Sequence, residues 1–408
     1  MRVALLTTTQ HGHLNPYVPV VNALQSAGGE VALLLLSADG GALDEQRRRA
    51  LGKAQVHGIG QVEMAPWSGD PAKIGPMLRS SPVAEQTTAA IRATEPDFVL
   101  VDSLPVTAAA MVGAHASGVP YGMIWANLGG VCPAEHRRGR WAYDEQVGEY
   151  LTGHGVRWST RTHSARSPIL NLMPTIPALV GADAVTDDGV QLVGLPGAAG
   201  ARGDEVAFAG LDRLDPDRPV VFVSFGTIFY RRPDLLRTVI LGAAATGAQV
   251  IAAVGDLAAE LALPDDVLTA GYLPQREVLE RADVFVTHGG YNSVAESIRA
   301  ATPMLVIPLA VDQPIQAYFV GRAGFGTSLE PAGVTGEAVT AAVADLLDPA
   351  RDYRARLRAA QPECGDSAAR TAELVVSTVE TLPRQGARAS PSGWTAAPTP
   401  TRTWPLRS

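Results

Sequence analysis

The chain is poor in cysteine, charge and aromatics. Its 408 residues include two cysteines, Cys132 and Cys364. Two thiols so far apart exclude a disulfide scaffold and a zinc site built from cysteine alone, and they suit a reducing compartment. Charged residues make up 18%, lysine is scarce, and the formal net charge is −8. Phosphate backbones demand clustered basic side chains, so this balance argues against nucleic acid as a partner. The short cationic groups Arg47-Arg48-Arg49 and Arg137, Arg138, Arg140 read as solvated faces. No apolar run approaches the ~20 residues that a membrane-spanning helix needs. Met1-Arg2-Val3-Ala4-Leu5-Leu6 reads as a strand, not a signal peptide. The expectation is a cytoplasmic protein without stable membrane insertion.

What the chain has is apolar residues, 46%, in a length that suits two domains. Short apolar runs alternate with helical spacing, which predicts α/β units on parallel sheets. Strands are expected at 3–7, 31–36, 98–101 and 121–125, then at 220–224, 249–253, 284–287 and 304–307. Leu14, Tyr17, Val18, Val21 and Leu24 fall at helical spacing before the stop at Gly28-Gly29. Further helices are expected at 105–117, 293–301, 314–322, 335–347 and 367–382. Residues 196–218, rich in proline, glycine and charge, read as a linker between domains 1–195 and 219–382. Residues 383–408 read as a disordered tail. Within 131–167, Trp141, Tyr143, Tyr150 and Trp158 follow no strand period. They could line a pocket or fill a core under a long loop, and Trp141, Tyr143 and Trp158 are the acceptor-side candidates.

The segment 283–313 carries the most chemistry. A strand ends in His288-Gly289-Gly290 and a helix opens at Tyr291-Asn292-Ser293. Glycines let a ligand approach the backbone, and a helix start offers unpaired amides to a phosphate. His288, Gly290, Asn292 and Ser293 are therefore diphosphate candidates. Glu296, one turn on, can accept from ribose hydroxyls. Asp312 and Gln313 follow the strand at 304–307, where a carboxylate and an amide suit sugar hydroxyls. Ser224, Gly226 and Thr227 end the domain's first strand within reach of the same diphosphate.

Taken with Gly271-Tyr272-Leu273-Pro274-Gln275, this pattern resembles the nucleotide-sugar signature of the UDP-glycosyltransferase superfamily. The resemblance implies a GT-B fold, two Rossmann-like α/β domains facing each other across a cleft. It implies that Gln275 and the Leu273 backbone meet the base, and that Tyr272 stands where many relatives stack a tryptophan. In relatives using deoxythymidine donors the equivalent of Glu296 is often absent. A site built for a hydroxyl disfavours the deoxy analogue, so UDP-glucose is the expected donor.

On the other half, Gly12-His13-Leu14-Asn15-Pro16 follows the first strand, and Asp102 ends the strand at 98–101. An imidazole there suits removal of an acceptor proton, and a buried carboxylate would fix its tautomer. The two residues could otherwise cap helices; the superfamily resemblance favours a catalytic pair. Direct displacement would invert configuration, with no metal or other cofactor required. Asp215-Pro216-Asp217 has acid-x-acid spacing but sits in the linker and reads as a turn. His11 adds too few ligands for a metal. The expected partners are a nucleotide-sugar donor and a small, largely apolar acceptor. A nicotinamide oxidoreductase is disfavoured by the lack of G-x-G-x-x-G. A non-catalytic helper or an epimerase on the same fold remains open at this stage.

Overall fold

The computed structural model describes residues 1–38, 43–62, 71–132, 141–181, 189–197, 207–226, 229–310 and 312–383. Among the described residues, nine strands belong to the first half: β1 (Arg2–Thr8), β2 (Glu30–Ala38), β3 (Gln55–Val62), β4 (Phe98–Asp102), β5 (Tyr121–Ile124), β6 (Arg157–Ser159), β7 (Ser164–Arg166), β8 (Leu170–Met173) and β9 (Val190–Leu192). Seven of them form a parallel sheet in the order β3-β2-β1-β4-β5-β8-β9, while β6 and β7 pair as an antiparallel hairpin. The second half supplies β10 (Val220–Ser224), β11 (Gln249–Ala253), β12 (Leu268–Ala270), β13 (Val284–Thr287), β14 (Met304–Val306) and β15 (Gly326–Ser328). These form a parallel sheet in the order β12-β11-β10-β13-β14-β15.

Central strands such as Val3-Ala4-Leu5-Leu6 are buried on both faces, as parallel strands covered by helices must be. The second sheet shows the two faces separately. Val220 and Phe222 pack into a core continuous with the first half, whereas Val221 and Val223 face a second, outer core. Phe222 and Phe285 stack at 4.8 Å on the inner face.

The chain doubles back in both sheets. After β3 it crosses β1 and β2 to place β4 on the other side of β1; after β12 it places β13 beside β10. Each reversal opens a crevice at the carboxyl ends of two central strands, where such sheets bind ligands.

The helix Ser367–Thr381, grouped by sequence with the C-terminal half, packs instead on the helix Tyr17–Ser26 of the first half. Several backbone carbonyls mark where the chain passes between halves. Arg299 donates to the carbonyls of Leu195 (2.5 Å), Pro196 (2.9 Å) and Gly365 (2.7 Å), and so ties both crossings to one guanidinium. No helix among the described residues is long and apolar enough to cross a membrane.

Candidate active site

His13 and Asp102 come from the two strands that flank the first reversal. β1 leads into a one-turn helix, His11–Leu14, and Asp102 is the last residue of β4. His13 Nδ1 lies 3.7 Å from Asp102 Oδ2, beyond hydrogen-bond distance but close enough for a small rotation to close the gap. Asp102 is fully buried and does not cap the following helix. Its Oδ2 accepts from Thr7 Oγ1 and its Oδ1 from Tyr17 OH, both at 2.8 Å. Burial pushes the Asp102 carboxyl up to about 7, and the two hydroxyl donors pull the other way.

The second reversal holds the donor candidates. β13 ends at Thr287, Gly289 turns the chain at φ +82°, and the helix Tyr291–Ala300 begins with Gly290 as its cap. The first helical bond runs from Val294 N to Gly290 O, so the amides of residues 291–293 have no partner in the preceding turn. His288 is buried between two glycines: a Cβ on Gly226 would stand 2.8 Å from its Cε1, and one on Gly290 2.6 Å from its Nε2. These two positions lack side chains to make room for the imidazole. Burial pushes His288 down to about 4, against the pull of the Ser224 backbone, so the ring is neutral at physiological pH. A neutral ring can still donate one hydrogen bond to a phosphate oxygen. Ser224 Oγ accepts from Gly226 N at 3.3 Å and shapes this turn, while Thr227 lies outside the described residues.

Gln275 opens the helix Gln275–Arg281 beside the donor helix. Its Nε2 donates to Glu296 Oε2 at 2.7 Å and lies 3.4 Å from Ser293 Oγ. The residues assigned to base and ribose therefore touch each other, and Glu296 is buried. Leu273 is buried under the same loop, and Tyr272 is the one large hydrophobic that stands exposed among the described residues. Gln313 Oε1 accepts from the amides of Leu309 (2.7 Å) and Ala310 (2.8 Å), which fixes the loop after β14. Only its NH₂ group is left for a sugar. Asp312 caps the same helix from one residue earlier.

The two reversals face each other. Asn292 Nδ2 donates to the carbonyl of Gly12 at 3.2 Å, one residue before His13. Tyr291 donates its hydroxyl to the carbonyl of Pro174 in the first half. Next to Ser103 and Leu104, just past Asp102, opens a cleft lined by Trp125, Asn127, Asp144, Trp158, His163 and, from the second half, Ile315. Arg166 backs its wall: the guanidinium lies 4.7 Å over the Trp125 ring and donates to Thr162 Oγ1 at 2.7 Å. Of the three aromatic acceptor candidates, Trp158 lines this cleft. Tyr143 packs on the core, and the side chain of Trp141 lies outside the described residues.

Two facing crevices, one anion-shaped and one holding a histidine–aspartate pair, fit what comparison with known proteins finds. Residues 213–357 match the family "UDP-glucoronosyl and UDP-glucosyl transferase". That match marks residues 213–357 as a UDP-glycosyltransferase family domain. The chain is 34% identical over 134 residues to the uncharacterized UDP-glucosyltransferase YdhE of Bacillus subtilis, a match covering 32% of this chain and 34% of that protein. The first curated relatives are thus matched over about a third of their length. A longer match, 27% identical over 402 residues, joins it to 4'-demethylrebeccamycin synthase of Lentzea aerocolonigenes, covering 88% of this chain and 94% of that one. The solved glycosyltransferase of kitacinnamycin superposes with a TM-score of 0.72 at 24% identity, over 93% of this chain and 99% of that one. The fold is GT-B.

Some residues of this candidate site escaped the sequence reading. Tyr17 was visible only as an apolar position at helical spacing, yet its hydroxyl holds Asp102. Trp125, Asn127, Asp144 and His163 share no motif, because they converge from three separate segments: the loop after β5, the helix Trp141–Gly153 and the turn between β6 and β7. His163 sits at a left-handed φ of +43°, a strained turn that no sequence pattern announced.

Proposed function

We infer that the chain is an inverting, metal-independent glycosyltransferase that moves a hexose, glucose from UDP-glucose, onto a small, largely apolar natural-product acceptor. The observation that carries this is the approach of His13 to Asp102 directly opposite the uncapped start of the donor helix. With Nδ1 turned to Asp102, Nε2 is the ring atom presented to an acceptor in the adjoining cleft. The acceptor oxygen forms its bond to the anomeric carbon as the bond to the β-phosphate oxygen breaks. The acceptor proton passes to His13 Nε2, and Asp102 stabilises the imidazolium. The departing UDP takes the electron pair, and the amides of residues 291–293 with His288 meet its charge.

The donor assignment rests on Glu296, a buried carboxylate suited to ribose hydroxyls, and on Tyr272, an exposed ring beside the expected base site. Asp312 and the Gln313 amide remain the sugar contacts. The acceptor meets Trp158 and Trp125, flat apolar walls with polar groups set between them.

The test is turnover of UDP-glucose against a panel of aromatic and polyketide acceptors, read by product mass. Product should form, and His13→Ala should lower turnover at least tenfold with donor affinity retained. A smaller loss would remove His13 from the role of base. Glu296→Ala should weaken UDP-glucose more than dTDP-glucose; an unchanged preference overturns the donor assignment.

A further inference from the structure

Asp102 is held more firmly than orienting a histidine requires. Its two oxygens are treated differently. Oδ1 accepts from Tyr17 OH alone, at 2.8 Å; Oδ2 accepts from Thr7 Oγ1 at 2.8 Å and also faces His13 Nδ1 at 3.7 Å. Tyr17 is 1% exposed and sits in the first turn of the helix Tyr17–Ser26, immediately after the segment that carries His13. One short stretch of chain thus delivers both the imidazole and the hydroxyl that addresses the far side of its carboxylate.

We propose that Tyr17 is a positioning residue of the transfer reaction: its hydroxyl occupies Oδ1, keeps Asp102 ionised in a dry site and turns Oδ2 toward His13. This rests on the assignment of His13 as base.

The physical need is clear. A carboxylate buried with no water around it favours its protonated form, and a protonated Asp102 cannot stabilise an imidazolium. A hydroxyl donor opposes that cost directly, because it bonds the charged form better than the neutral one. The groups facing Asp102 are Thr7 from β1, Tyr17 from the next helix, His13 from the turn between them, and Tyr291 from the donor helix. Only Tyr17 addresses Oδ1 among the described hydrogen bonds. Phenylalanine at this position would fill the same core space and leave Oδ1 without its donor.

The experiment compares Tyr17→Phe with the wild-type chain, taking kcat/KM for the acceptor across pH 5.5 to about 9.5, with the melting temperature and the KM for UDP-glucose alongside. The expected result is a fall of about tenfold near neutrality, little change in donor KM, and an acid limb displaced to higher pH, because Asp102 now keeps its proton longer. Raising the pH should recover part of the loss. In an Asp102→Asn background the Tyr17→Phe change should cost almost nothing more, since the two act as a unit. A rate loss with an unmoved acid limb, additive losses in the double variant, or no loss at all would each overturn the proposal. Thr7→Val, which strips the donor from Oδ2, should move the limb the same way and serves if Tyr17→Phe fails to fold. These outcomes are separable from the base assignment, which His13→Ala tests by itself.

Discussion

At the residue scale, the two histidine-bearing turns work with opposite electrostatics. Asp102 is raised to about 7 from an ordinary 3.8, so the folded chain holds its proton more tightly than the unfolded chain does between those values. Folding stability therefore falls as pH rises through that window. Asp102→Asn removes the ionisable group, so the variant should gain melting temperature relative to wild type at pH 8 and gain little at pH 4. A difference that does not grow with pH would show that the carboxylate is not strained by burial. His288 runs the other way. Pushed down to about 4, it stays neutral where the protein works, and in the proposed reading it would meet phosphate as a donor without positive charge. His288→Ala should weaken UDP binding at least tenfold by calorimetry, and His288→Gln should recover part of it, because an amide can also donate.

At the element scale, the strand–turn–helix around His288 depends on what two glycines omit. Gly290 has φ −62° and ψ 141°, values open to alanine, so Gly290→Ala carries no backbone penalty. The added methyl would instead lie 2.6 Å from His288 Nε2 and displace the ring. UDP affinity should fall to nearly the level of His288→Ala while the fold, read by circular dichroism, is retained. Equal affinity to wild type would mean that the ring can move without consequence. Much of this element was readable in sequence, since long apolar runs such as those of β1, β4, β10 and β13 announce buried parallel strands, and Gly289-Gly290 announces the turn. The sequence reading missed β3 and β8 as well as the hairpin of β6 and β7 and the strands β9, β12 and β15: β3 is largely polar and only partly buried, and strands of three or four residues without a long apolar run give little period to detect. Tyr17 was hidden for a different reason. Its ring obeys the helical apolar pattern, and nothing in that pattern reveals where the hydroxyl goes. Gln313 shows the converse: its type and place suggested a sugar contact, but its oxygen serves the loop after β14.

At the scale of the whole molecule, one side chain holds the start of the linker read as 196–218, while Gln249 holds its end through Asp215 and Arg218. Arg299 reaches the carbonyls of Leu195 and Pro196 on one crossing and Gly365 on the other, from the far end of the helix whose start forms the anion crevice. Hydrogen bonds to a charged group contribute about 1.5–3 kcal/mol each in net terms, and their loss at one buried-edge site is rarely additive. Arg299→Ala should lower stability by about 2 kcal/mol or more in urea unfolding, with a broadened transition as the halves lose their common anchor. An unchanged midpoint would remove Arg299 from that role. The α/β class and the two-domain plan followed from length and alternation, and the GT-B arrangement from the family resemblance. The cleft past Asp102 did not, because its walls are assembled from residues far apart in sequence.

The helix Ser367–Thr381 closes the first half from the other end of the chain. A ribosome releases the first sheet long before this helix, so the face of Tyr17–Ser26 that it covers must wait bare until residues 367–381 emerge. Residues 1–197 expressed alone should be aggregation-prone. A circular permutant that places the last helix ahead of β1 should fold its first half early, a change that pulse proteolysis of stalled nascent chains would detect.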